Sequence, residues 1–115
     1  MRKDSIISDH VGQININYPD HPTYKDAKLN KETFDFRYEK LKNYIPEGSV
    51  CLDIGSHIGN FTLLFAACAG KKGKVLAFEP NPHCYAPLTV TMTDNPNLNI
   101  IPINVGCTEE TKKYI

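Results

Sequence analysis

The chain carries no excess of charge of either sign: 13 Lys and Arg balance 13 Asp and Glu over 115 residues, for a formal net charge of zero. Proteins that seek nucleic acid or an anionic membrane surface usually show a basic surplus, so composition offers no reason to expect either partner. Long apolar runs are missing too. The best stretch, Phe61 to Ala69, falls far short of the roughly 18 to 20 apolar residues of a membrane helix. The basic start MRKDSIISDH has no apolar segment behind it, so no secretory leader is expected. There is no Cys-x-x-Cys pair: Cys51, Cys68, Cys84 and Cys107 are widely spaced, and His10, His21, His57 and His83 add no metal-ligand spacing to them. The expectation is free thiols in a reducing cytoplasm and no metal. What is present, 41% hydrophobic and 23% charged residues, suits one small globular domain rather than a disordered chain.

The two parts of the chain differ in character. Residues 1 to 30 are polar and interrupted by Pro19 and Pro22; the alternation from Gln13 to Tyr18 fits either a short strand or a loosely packed arm. From Lys31 to Ile45, the apolar residues Phe34, Tyr38, Leu41 and Ile45 recur at steps of four, three and four, with Asn30 placed to cap an amphipathic helix. Pro46-Glu47-Gly48-Ser49 stops it. We therefore expect an N-terminal extension over residues 1–45, with residues 46–115 forming the second unit.

That second unit alternates strand and helix. Val50 to Ile54 is a short apolar strand, Asn60 to Ala69 a helix closed by Gly70, and Val75 to Phe78 a second strand with Glu79 at its carboxyl end. Asn81 and Pro82 read as N-cap and first helical position, but Pro87 and the β-branched Thr89, Val90, Thr91 and Thr93 oppose the helix that should follow. Asn99 to Val105 is a third strand, with Pro102 favouring an irregular or edge place. Strand, helix, strand, helix, strand describes a parallel sheet joined by right-handed crossovers.

Asp53-Ile54-Gly55-Ser56-His57-Ile58-Gly59-Asn60 followed by Glu79 is the informative constellation. Ligands of open parallel sheets collect beyond the carboxyl ends of the strands. Gly55 and Gly59 bracket the first strand-to-helix turn, where missing side chains let a ligand approach the backbone. The N–H groups that open the helix can receive a carboxylate. Glu79, at the tip of the next strand, can accept two hydrogen bonds from a vicinal ribose diol. Together they describe an adenosine-containing ligand. A dinucleotide turn wants G-x-G-x-x-G, and His57 stands where its second glycine would let a pyrophosphate in; no lysine follows to make a P-loop. S-adenosylmethionine has no phosphate, an amine that Asp53 can hold directly or through water, and a carboxylate for the turn. The missing glycine favours it, and a nicotinamide-dependent oxidoreductase fragment stays open as the alternative.

The same residues resemble a family. Leu52 to Thr62 is similar to the first motif of FkbM-like S-adenosylmethionine-dependent methyltransferases, and Phe78-Glu79-Pro80-Asn81-Pro82 to their second; Ile103-Asn104-Val105-Gly106 resembles the stretch after their third strand. The likeness runs from Gly48 to Thr108 and leaves the N-terminal extension undiagnosed. It implies that Asp53, Gly55, Ser56, His57, Gly59 and Asn60 line the methionine end of the cofactor. Glu79 would hold the ribose, Pro80 and Asn81 would flank the adenine, and Asn104 with Val105 would close over it. His57 replaces the asparagine more frequent there. The resemblance implies methyl transfer to a hydroxyl oxygen of a small molecule or sugar, without naming a catalytic base. It also implies a Rossmann-like doubly wound parallel sheet of class I methyltransferase type. The family's later acidic Asp-x-Glu-Gly segment is not in this sequence, and Thr111 to Ile115 reads as entry into a further strand. The expectation is a sheet truncated after about three strands, and hence a fragment inactive alone. It would expose apolar surface at its last strand edge, for self-association or for a partner chain.

Overall fold

The computed structural model describes residues 1–24 and 29–109; the strand expected from Thr111 onward lies outside the described residues. Two layers of strand are present. β1 (Arg2–Ser8) and β2 (Gly12–Tyr18) form an antiparallel hairpin, and β3 (Val50–Ile54), β4 (Lys74–Phe78) and β5 (Ile100–Ile103) form a parallel sheet with β4 in the centre. α2 (Asn60–Ala69) links β3 to β4, and α3 (Pro82–Thr93) links β4 to β5. Both crossovers advance in the same direction across the sheet, so right-handedness puts both helices on one face. The α/β, Rossmann-like fold read from the sequence is the fold observed, with the three parallel strands in the order of the chain.

Register lines up apolar rows across the sheet. Leu52 pairs with Leu76 and Leu76 with Ile101; Ile54 pairs with Phe78 and Phe78 with Ile103. Because side chains alternate along a strand, these rows share one face, and Val75, Ala77 and Ile100 point to the other. That second face is fully covered: Val75, Ala77, Leu63, Leu64 and Leu88 are buried in one core. α2 is apolar nearly all round, as a helix packed between a sheet and a second helix must be.

Two expectations need correction and one alternative is decided. Of the two readings open for Gln13 to Tyr18, the short strand is the one observed: β2 buries Ile14, Ile16 and Tyr18 in the common core and pairs with β1, which was not foreseen. The helix over the Phe34 stripe, α1 (Lys31–Leu41), ends a turn before Ile45. Asn30 caps it as expected, its side chain accepting the Thr33 N–H at 2.8 Å, but the chain leaves the helix in a turn ahead of Pro46, where α geometry is disfavoured. α3 is an uninterrupted helix of 12 residues despite Pro87. Its threonines are employed rather than disruptive. The Thr89 and Thr93 hydroxyls bond back to the Ala86 and Thr89 carbonyls, and Thr91 Oγ1 accepts the Asn17 N–H of β2 at 2.9 Å.

Just past α3, Asn95 does for β2 what another strand would. Its side-chain oxygen accepts the Asn15 N–H at 3.0 Å and its amide donates to the Asn15 carbonyl at 2.6 Å. Together Thr91 and Asn95 satisfy the outer edge of the hairpin, which would otherwise expose unpaired backbone. All four cysteines are free thiols. No helix among the described residues is long and apolar enough to cross a membrane.

Candidate cofactor site

At the carboxyl end of β3 the chain must turn sharply into α2, and backbone shape dictates the residues. Gly55 has φ +76° and Gly59 φ +101°. A Cβ on Gly59 would come 2.9 Å from Leu88 Cδ1, the end of a side chain, so the demand for glycine is first of all conformational. A Cβ on Gly55 would meet nothing within 4 Å; its requirement is conformational, and the space beside it is open to a ligand. His57 also has a positive φ, +58°. Histidine tolerates this left-handed region better than most residues.

The turn is tied to the tip of β4. The Gly55 and Ser56 N–H groups both donate to the Phe78 carbonyl at 2.9 Å. Glu79 completes the tie: its Oε1 accepts the His57 N–H at 2.7 Å, and its Oε2 the Asn81 N–H at 2.9 Å. The residue is 5% exposed. This alters the expected role of Glu79 as an open ribose acceptor. Each oxygen already takes one backbone donor and keeps a second acceptor position for a hydroxyl. Glu79 is thus a bridge between the two strand-tip loops before it meets any ligand.

Asp53, next to last in β3, has its carboxylate turned toward α2, where Thr62 Oγ1 donates to Oδ2 at 2.5 Å. Burial pushes this carboxyl above its usual range, against the lowering effects of Thr62 and Ser56, while the Glu79 charge adds to the rise. Ser56 is buried and its hydroxyl donates to the Asp53 carbonyl at 2.8 Å. Thr62 went unassigned in the sequence, although its place three residues after Gly59 puts it on the helix face that looks at the sheet.

The expectation that turn N–H groups receive a carboxylate also narrows. Gly55, Ser56, His57 and Gly59 spend theirs within the protein. The start of α2 differs: Gly59, as N-cap, offers no side chain, and the first turn has no acidic residue. Helix openings of this kind favour an anion. Beside it, Asn60 Oδ1 is buried without a hydrogen-bond partner, a cost that a bound donor would relieve. An anion receptor next to an orphaned acceptor matches the carboxylate and amine of an amino acid.

The remaining residues gather at the same end of the sheet. The Asn81 side chain caps α3, accepting the His83 N–H at 2.9 Å. The Asn104 amide, oriented to donate, reaches the Glu79 and Pro80 carbonyls at 3.0 and 3.1 Å. That contact fastens the exit of β5 to the tip of β4. Val105 beside it is 49% exposed. A cavity of about 560 Å³, lined by Pro19, Asp20, His21, Tyr24, Asn81 and His83, opens on the hairpin side of Asn81. Its arm residues come from the stretch that sequence left undiagnosed. They were invisible there because their neighbours at the site lie far along the chain.

No family model and no curated protein sequence matches the chain. Solved structures do. A proposed rRNA methylase from Clostridium thermocellum aligns with 62% of this chain and 39% of its own, at 25% identity and a TM-score of 0.55. A proposed protein-L-isoaspartate O-methyltransferase from Plasmodium falciparum, in complex with S-adenosyl-L-homocysteine, aligns with 78% of this chain and 45% of its own, at 20% identity and a TM-score of 0.53. The chain therefore has the fold of methyltransferase domains and spans less than half the length of these two structures.

Proposed function

We propose that this chain is the cofactor-binding half of an S-adenosylmethionine-dependent methyltransferase. The observation that carries the reading is the opening of α2: an uncapped helix start beside the orphaned, buried Asn60 Oδ1, set in a glycine turn that Glu79 joins to the next strand. That set fits the amino-acid end of the cofactor at α2 and the ribose at Glu79, whose two oxygens keep acceptor capacity. It does not fit a dinucleotide equally well, because the Gly55, Ser56 and His57 amides that would meet a pyrophosphate are occupied.

When bound, S-adenosylmethionine supplies a methyl carbon made electrophilic by its sulfonium. The chain's own part is to bind and orient. Asp53 and Thr62 fix the end of β3, Gly55 leaves room, Asn60 and the α2 amides take the amino acid, and Pro80, Asn81, Asn104 and Val105 surround the base. The finer assignment, to FkbM-like enzymes methylating a hydroxyl of a small molecule or sugar, is supported by the motif residues Leu52 to Thr62 and Phe78 to Pro82. An RNA substrate, the class named for the Clostridium thermocellum protein, finds no support in a net charge of zero.

The reading includes a partner surface. Val50, Leu52 and Ile54 on β3 are each about 60% exposed (60%, 59% and 62%) and Ile101 on β5 is 41% exposed. These exposed apolar residues of β3 and β5 lie on the same face of the sheet. Such a face favours association, and further protein structure over it would also wall off the acceptor.

Calorimetric titration of the purified chain with S-adenosyl-L-homocysteine, with NAD in parallel, tests the proposal. Saturable binding of the first and no response to the second is expected. A response to NAD alone would transfer the site to the oxidoreductase reading.

A further inference from the structure

We propose that Tyr24, delivered by the N-terminal arm, is a positioning residue of the cofactor site. The inference rests on the methyltransferase reading and deepens it. Tyr24 ends a short 3-10 turn, Pro22–Tyr24, that follows β2, and Arg2 Nη2 fixes that turn by donating to the Tyr24 carbonyl at 3.1 Å. The Tyr24 ring lies 5.3 Å from the His57 ring, tilted by 48°. Its hydroxyl lies 3.0 Å from Sγ of Cys84, a fully buried residue in the first turn of α3. Tyr24 therefore touches the β3–α2 turn on one side and the start of α3 on the other. These are the two loops that the Glu79 carboxylate joins through the His57 and Asn81 amides.

The second tie is needed because of the conformation of His57. A non-glycine residue at φ +58° stays there only when its surroundings hold it, and its N–H reaches Glu79 from that conformation. Glu79 holds the backbone and Tyr24 the ring. The thiol contact and burial push the Tyr24 hydroxyl up to about 12, so the contact stays neutral and does not titrate near pH 7. Without the ring, His57 leaves the left-handed region, its amide releases Glu79, and the carboxylate meant for the ribose turns away.

The test uses the full chain with two readouts. In 15N-resolved spectra of the ligand-free protein, the His57 amide proton, shifted downfield by its carboxylate bond, is expected to move upfield in Tyr24→Ala and to stay in Tyr24→Phe. Affinity for S-adenosyl-L-homocysteine is expected to fall about ten-fold in Tyr24→Ala and to stay within about three-fold in Tyr24→Phe. Ile6→Ala, which loosens the hairpin core instead, is the control for general destabilisation. A His57 amide unmoved in Tyr24→Ala, or moved as far in Ile6→Ala, overturns the proposal. If Tyr24→Ala does not fold, Tyr24→Leu keeps apolar bulk without the ring and is read by the same criteria. If the unaltered chain binds no S-adenosyl-L-homocysteine, the methyltransferase reading fails, while the amide comparison still decides the role of Tyr24.

Discussion

The two faces of the parallel sheet are made from the same kinds of residue and live in different environments. Val75, Ala77 and Ile100 point into a core closed by α2 and α3, and none of them is more than 5% exposed. Leu52, Ile54 and Ile101 stand on the opposite face and keep between 41% and 62% of their surface in contact with solvent. Apolar strands without polar alternation belong to parallel sheets covered on both sides. β3 and β5 carry that pattern, yet among the described residues one face of these strands stays exposed. The covered face explains why the chain holds its fold. The bare face leaves apolar side chains of β3 and β5 in contact with solvent.

Substitution of equal chemistry on each face is the sharpest way to break this comparison, and it carries the largest expected effect. Leu64→Ala, at a position with no exposure, should lower unfolding free energy by about 3 kcal/mol, within the usual range for a buried leucine. Leu52→Ala should change it by no more than about 0.5 kcal/mol. Urea denaturation of both variants checks the contrast, and equal losses would mean that the second face is covered in solution.

Glu79 gives the next effect. Glu79→Ala removes the acceptor for two backbone N–H groups and is expected to abolish measurable S-adenosyl-L-homocysteine binding. Glu79→Gln keeps one acceptor oxygen and should retain weakened binding, reduced by about ten- to a hundred-fold for loss of charge-assisted bonds. Calorimetry distinguishes them. Equal affinity in the two variants would leave the bridge without a role.

Charge on the bare face should act on association and leave the site alone. Leu52→Lys with Ile54→Lys is expected to suppress concentration-dependent sedimentation and binding of apolar dyes, with cofactor affinity unchanged within about two-fold. Dye binding that persists at full strength would place the sticky surface elsewhere.

The smallest effect concerns Asp53. Its folded carboxyl sits above the ordinary value of 3.8 because of burial. The folded state thus holds that proton more tightly than the unfolded chain does. This contribution to stability is fully present below the unfolded value and is lost as pH rises through the folded one. Asp53→Asn keeps an acceptor for Thr62 and removes the charge. It should be more stable than the unaltered chain at neutral pH, with the difference closing in acid, while binding the cofactor less well. Thermal unfolding of the pair from about pH 3 to pH 7 follows the gap; a gap that widens in acid would contradict the burial assignment.

Much of this was legible in sequence because local chemistry carried it. The turn glycines, the Asn30 and Asn81 caps, and the acid at the end of the second strand all declare themselves within a few residues. The continuity of α3 was hidden because it depends on partners far along the chain: Thr91 and Asn95 bond to β2 from more than 70 residues away, whereas β1 is set by its hairpin pairing with β2, which its polar sequence does not advertise. Pro87 and the threonines carry a genuine local penalty, and tertiary contacts overrode it. The bridge made by Glu79 was hidden for another reason. A sequence can announce a carboxylate at a strand tip, but the backbone amides already occupying it become visible only with the fold.

The most direct measurement is a residue-resolved 15N chemical-shift titration of the chain with S-adenosyl-L-homocysteine. The amides of Gly55, His57, Gly59, Asn60, Glu79 and Asn81 are expected to move saturably together, with those of Val50 and Ile101 still. A folded chain whose spectrum does not respond, or whose shifts fall on the bare face of the sheet, would contradict that expectation.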